Sequence, residues 1–140
     1  MALFKGPAVL LVRRGKPPNA GSWSLPGGRQ EWGETAEHGA RRELLEETGI
    51  TAGPLTFAAH VDGIHRDVSG TVLFHYTILD FTGYWLAGDP VAGDDVTDAV
   101  WAPLDALGPY QLWSEAHRVI AAARRALSCA SDAIATSGPG

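Results

Sequence analysis

Cysteine is almost absent. Cys129 stands alone, so no internal disulfide can form, and a secreted disulfide scaffold is excluded in favour of a reducing compartment. Long apolar runs are missing too. No stretch approaches the roughly 18–20 residues that cross a bilayer, and no series of the signal-peptide kind opens the chain. A cytoplasmic location with no membrane partner is expected. Basic charge is scarce: 11 Lys and Arg against 16 Asp and Glu leave a net charge of −5. That balance is poor for holding nucleic acid by bulk charge, so none is expected as a partner. An acidic chain can still take an anionic substrate when divalent cations bridge the two. Glutamate itself is rare outside one window. Six of the seven glutamates are Glu31, Glu34, Glu37, Glu43, Glu46 and Glu47, and only Glu115 lies elsewhere.

At 140 residues the chain is one domain, with no internal repeat. The domain is expected over 1–130, with 131–140 as a tail that frays. Residues 8–13 read as a buried strand after a Lys5-Gly6-Pro7 turn. Ala2–Phe4 read as the end of a preceding strand that looks clipped at its start. Trp23–Leu25 is a brief extended piece closed by Pro26-Gly27-Gly28. A helix is predicted from Ala36 to Thr48, with Thr35 as N-cap and Gly49 as the left-handed C-terminal residue. Strand-like runs follow at 55–61, 71–81 and 99–102. In the second of these Val72, Phe74, Tyr76 and Ile78 share one face. Residues 82–98 read as a long loop. A last helix over 115–130 carries the stripe Ala116, Val119, Ile120, Ala123 and Leu127 that docks on a sheet.

The first helix is built against its own stability. Glu43, Glu46 and Glu47 stand at i, i+3 and i+4 and share one face. Such like-charge pairs cost roughly 0.2–0.5 kcal/mol each. Glu46 and Glu47 also occupy the last turn, at the negative end of the helix dipole, at roughly 0.3–1 kcal/mol more. Arg42 offsets part of this. A solvated acidic face is the plain alternative, but the wrong-end placement argues for a hard divalent cation, which prefers oxygen ligands and bridges carboxylates to phosphates.

Gly28, five residues, Glu34, seven residues, Arg42-Glu43-Leu44, one residue, Glu46-Glu47, one residue, Gly49-Ile50 resembles the Nudix box at every defined position. The resemblance extends over roughly 2–127, and the flanks are most similar to small bacterial ADP-ribose pyrophosphatases and MutT-like hydrolases. It implies an α/β/α sandwich with a mixed sheet. It also implies a pyrophosphohydrolase that cleaves a nucleoside diphosphate linked to a group X by attack of water on phosphorus, with Mg2+ or Mn2+ as cofactor. Glu43, Glu46, Glu47 and the Gly27 carbonyl would be metal ligands, and Gly28 would leave room for a phosphate. Arg42 would orient Glu43, and Glu34 would brace the loop. Glu43 or an acid outside the box would deprotonate water. Asp94, Asp95 and Asp98 are the candidates outside it, with Asp95 first and Asp98 second.

Other residues stay open. Arg13, Arg14 and Lys16 could reach substrate phosphates or be solvated. Trp32 could cover the metal site or stack on a base, although partial packing on its loop is the plainer expectation. Trp23 and Trp101 read as core, and His60, His65 and His75 as structural or surface residues. ADP-ribose or a related nucleotide sugar is the leading substrate. A nucleoside triphosphate cleaner of the MutT kind and a non-catalytic nucleotide sensor are the alternatives. The clipped first strand predicts an open sheet edge, and hence an assembly larger than a monomer, such as a homodimer.

Overall fold

Continuous and alternating apolar runs become strands, and the two stretches of helical period become helices. The computed structural model describes residues 1–136. In chain order the elements are β1 (Ala2–Lys5), β2 (Ala8–Arg14), β3 (Trp23–Ser24), α1 (Ala36–Thr48), β4 (Thr51–Ala52), β5 (Thr56–Arg66), β6 (Val72–Ala87), β7 (Val96–Pro103), a 3-10 turn at Gly108–Tyr110, and α2 (Ser114–Thr136).

The seven strands form one mixed sheet. β1 runs parallel to β6, with Ala2 opposite Thr82 and Phe4 opposite Tyr84, and antiparallel to β2, with Phe4 opposite Val9. β2 pairs antiparallel with β7 along its whole length, and its far end also pairs with β3. β5 and β6 make a long antiparallel ribbon from Thr56–Thr82 to Arg66–Val72.

Period-two alternation sends the side chains of β1 and β2 to two cores, one under each helix. Ala2, Phe4, Val9 and Leu11 pack with Val119, Ile120 and Ala123 of α2. Leu3 and Leu10 pack with Leu44 of α1 and with Ile50 just beyond it. This is the α/β/α sandwich with a mixed sheet that the sequence implied, and α2 docks by the expected stripe.

Three expectations change. β1 is paired on both edges, so the open edge from which an oligomer was expected is not there. β6 continues to Ala87, because β1 takes one of its edges at Thr82–Tyr84 and β4 the other at Trp85–Ala87. The loop expected over 82–98 is therefore only the stretch between β6 and β7. α2 extends through Thr136 rather than ending at 130, since no glycine or proline intervenes before Gly138. Residues 131–136 of the expected tail are thus helical, and 137–140 lie outside the described residues. The face shared by Val72, Phe74, Tyr76 and Ile78 is half exposed.

Candidate active site

α1 is held at both ends by local chemistry. Thr35 is extended, and its Oγ1 accepts the His38 N–H at 3.1 Å. Gly49 closes the helix at φ 70°, and its N–H donates to the Leu45 carbonyl. The last-turn carbonyls, which no helical donor can reach, are met by the loop after β6. Val91 N–H donates to the Thr48 carbonyl at 2.9 Å and Gly93 N–H to the Glu47 carbonyl at 3.0 Å. The approach is so close that a Cβ on Gly93 would collide with the Glu46 carbonyl oxygen. The next residue, Asp94, is thereby laid against the acidic face. Carboxylate oxygens of Glu43, Glu46 and Asp94 all lie within 4.8 Å of one another.

Arg42 organises the same face. Its Nε and Nη2 grip Glu34 bidentately at 3.0 and 2.7 Å, while Nη1 reaches Glu43 at 2.9 Å and Glu46 at 3.1 Å. Nη2 also donates to the Arg29 carbonyl at 2.9 Å. One planar guanidinium thus fixes two acids of α1 and ties the loop before α1 to the helix. Glu34 completes the brace by accepting the Glu31 N–H at 2.7 Å. Its bonds to Arg42, then to Glu31, hold the Glu34 carboxyl down to about 2. Its partners raise the Arg42 guanidinium in turn.

Glu47 sits beneath this surface, only 6% exposed. Burial pushes its carboxyl up to about 7 against 4.5 for the free side chain, and the nearby Glu43 charge adds to the rise. The Gly27 N–H, which donates to Glu47 at 3.1 Å, opposes it. Gly27 therefore meets the cluster through its N–H. Gly28 is required by contact, because a Cβ there would overlap the Glu43 carboxylate.

The other candidates are placed elsewhere. Asp95 pairs with Lys16 at 2.6 Å, and Asp98 accepts the N–H of Ala99 at 2.9 Å. Of the three loop aspartates, Asp94 rather than Asp95 or Asp98 joins Glu43 and Glu46. The Asp95 contact raises the Lys16 ammonium and occupies that side chain. Arg13 donates to the Gly21 carbonyl and lies 6.0 Å from the Trp23 ring centre, and Arg14 donates to the Pro18 carbonyl. Trp32 is fully exposed and does not pack on its loop. Trp23 and Trp101 are half buried against the two cores. His60 and His75 approach Asp62 on the β5–β6 ribbon. One contact had no warning in the sequence: Arg29 donates to the Tyr76 hydroxyl at 2.8 Å, joining the turn before the box helix to β6.

Three clustered carboxylates with a fourth buried beside them form a hard, all-oxygen donor set. Left alone, it is a site of repulsion. Mg2+ or Mn2+ suits such a set, because both take oxygen ligands and leave positions for phosphate oxygens.

A family model described as the NUDIX domain matches residues 1–123. The chain belongs to the Nudix family. An ADP-ribose pyrophosphatase of Methanocaldococcus jannaschii is 36% identical over 99 residues, covering 71% of this chain and 56% of that protein. This Nudix chain thus spans little more than half the length of that relative. A putative 8-oxo-dGTP diphosphatase 2 of Mycobacterium tuberculosis is 33% identical over 115 residues, covering 74% of this chain and 78% of that one. Among solved structures, a MutT Nudix hydrolase from Burkholderia pseudomallei superposes with a TM-score of 0.71 at 30% identity, over 85% of this chain and 90% of that one. The Nudix domain of Shewanella oneidensis NrtR, solved with ADP ribose, gives 0.70 at 27% identity, over 86% and 77%.

Proposed function

We propose that this Nudix hydrolase is a divalent-metal-dependent pyrophosphohydrolase that cleaves ADP-ribose or a related nucleotide sugar. The observation that carries the reading is the meeting of Glu43, Glu46 and Asp94 within 4.8 Å on a face that Arg42 organises. Glu43, Glu46 and Glu47 would hold Mg2+ or Mn2+, with Asp94 at the loop side. When bound, the cation supplies charge neutralisation and Lewis acidity to the diphosphate. Phosphoryl transfer needs little more than positioning and charge. Arg42 keeps Glu43 and Glu46 aimed. Gly28, lacking a Cβ, lets the Glu43 carboxylate lie against the turn before α1. Asp94, beside Glu43 at the open side, accepts the proton as water attacks phosphorus and the bridging P–O bond breaks, giving AMP and ribose 5-phosphate. Trp32 and Arg13 are candidates for contacts to the nucleotide outside the diphosphate, as is Asp98.

Two relatives support the sugar: the pyrophosphatase named for ADP-ribose and the structure solved with it. The similarity to an 8-oxo-dGTP diphosphatase, which this chain covers more fully, supports a second reading as a nucleoside triphosphate hydrolase. Product analysis separates them. Incubation with ADP-ribose and Mg2+ is expected to give AMP and ribose 5-phosphate, and Glu46→Gln to abolish it. Pyrophosphate from a triphosphate panel with ADP-ribose intact would transfer the assignment to the second reading. Undiminished turnover by the Gln variant would remove both.

A further inference from the structure

Three consecutive residues of the turn before α1 rest on the acidic helix. The Gly27 N–H donates to Glu47 at 3.1 Å, a Cβ on Gly28 would overlap the Glu43 carboxylate, and the Arg29 carbonyl accepts Arg42 Nη2 at 2.9 Å. The root of the Arg29 side chain is therefore fixed beside the carboxylates. Coulomb attraction favours folding a cation rooted there back onto Glu43 and Glu46. Arg29 instead reaches across to β6, where its Nη2 donates to the Tyr76 hydroxyl at 2.8 Å. Among the described residues it has no carboxylate partner, and the side chain is exposed. One N–H of its fork is used on Tyr76, and the others have no partner in the described chain. Tyr76 is steadied in turn, its ring 26° from parallel to that of Phe74 at 6.4 Å. The other cations near the site are engaged. Arg42 is shared among Glu34, Glu43 and Glu46, and Lys16 is paired with Asp95. Arg13 and Arg14 donate to carbonyls of the loop that follows them.

We propose that Arg29 binds a phosphate of the substrate, and that Tyr76 is the positioning residue that holds it ready. This rests on the reading above that the site takes a nucleotide with linked phosphates, and it adds the group that meets them opposite the carboxylates. Such a substrate is an anion that must enter a face of like charge. A guanidinium fork matches phosphate oxygens and grips two at once. Arg29 is rooted at the edge of the acidic face and carries the charge that no acid neutralises. The choice of a phenol as its partner follows from the same charges. Folded back on Glu43 and Glu46, Arg29 would cancel the acids that a divalent cation needs and would lose its fork to them. A carboxylate on β6 would neutralise it in the same way. The Tyr76 hydroxyl is neutral, so it fixes the side chain at a distance from the acids and leaves the positive charge for a ligand.

Calorimetric titration of the whole chain in Mg2+ with α,β-methylene-ADP-ribose, which cannot be hydrolysed, tests this. Arg29→Ala is expected to weaken binding by about 10–100-fold, the range for lost hydrogen bonds to a charged group, and Arg29→Lys by less. Tyr76→Phe removes one oxygen and is expected to weaken binding in the parent chain but not further in the Arg29→Ala chain, because it acts through Arg29. Mn2+ binding without nucleotide is the second readout. Tyr76→Phe frees Arg29 to fall on the acids and should weaken Mn2+ by about 2–5-fold, the range for an exposed ion pair. Adding Arg29→Ala should restore it, which a purely structural strap would not do. Equal affinity of wild type and Arg29→Ala for the analogue would overturn the proposal. So would additive losses in the double variant, or loss of Mn2+ binding on Arg29→Ala alone. The same titration with α,β-methylene-dGTP keeps this apart from the choice of sugar. A wild type that binds only the triphosphate sinks the sugar, and loss of that binding in Arg29→Ala still upholds the phosphate contact. A wild type that binds neither overturns both.

Discussion

Arg42 touches Glu34, Glu43, Glu46 and the Arg29 carbonyl with one side chain, so its replacement tests whether the acids must be held or merely present. Lysine keeps the charge but loses the fork that grips Glu34. Arg42→Lys is expected to lower kcat/KM by about 10–100-fold, the usual cost of disturbing a ligand's own support. Steady-state kinetics on the folded variant checks it. Asp94 and Asp95 provide the sharper pair. Asp94→Asn should cost about 100-fold or more in kcat, the range for removal of a proton acceptor, whereas Asp95→Asn should leave kcat nearly unchanged. Glu47 links the site to pH. Its folded pKa of about 7 lies above the 4.5 of the free side chain. The folded chain therefore binds more protons than the unfolded chain between those values, and metal-free stability falls as pH rises through that window. Glu34, held down to about 2, acts only at lower pH and in the opposite sense, its stabilisation vanishing as pH falls. Thermal melts in chelator should thus show a higher Tm at pH 5 than at pH 8. Cation affinity should weaken below pH 7, because the Glu47 proton must leave first.

At the scale of elements, α1 is the part most dependent on local chemistry. Thr35→Ala removes the acceptor for the His38 N–H and should cost about 1 kcal/mol, measured by urea unfolding. These features were legible in the sequence because caps and i, i+4 spacing are written within a dozen residues. The carboxylate face was legible for the same reason. The loop that completes it was not. Asp94 and Asp95 are adjacent and alike in type, and the choice between them is made by a hydrogen bond from Gly93 to the far end of α1 and by Lys16 capturing Asp95. Both are long-range contacts with no local trace, although a glycine just before the acids was a clue to close backbone approach. The length of β6 was hidden likewise. Its alternation weakens at Gly83, and only pairing with β1 and β4 carries the strand on to Ala87.

Over the whole molecule, the sheet separates two tasks. Its α2 side is a closed apolar core, and its α1 side carries the charged face. The acids that the sequence groups on one helix do stand together on α1, yet the reason it offered for an oligomer is gone, because β1 is paired on both edges. No helix among the described residues is long and apolar enough to cross a membrane. All of this depends on whether the acidic face gathers a cation. The most direct measurement is titration of the metal-free chain with Mn2+, followed by the electron paramagnetic resonance of the free ion. The wild type is expected to deplete that signal at saturable sites, and Glu43→Gln and Glu46→Gln to lose most of the depletion. Equal depletion by wild type and both variants, or none by any, would contradict the account.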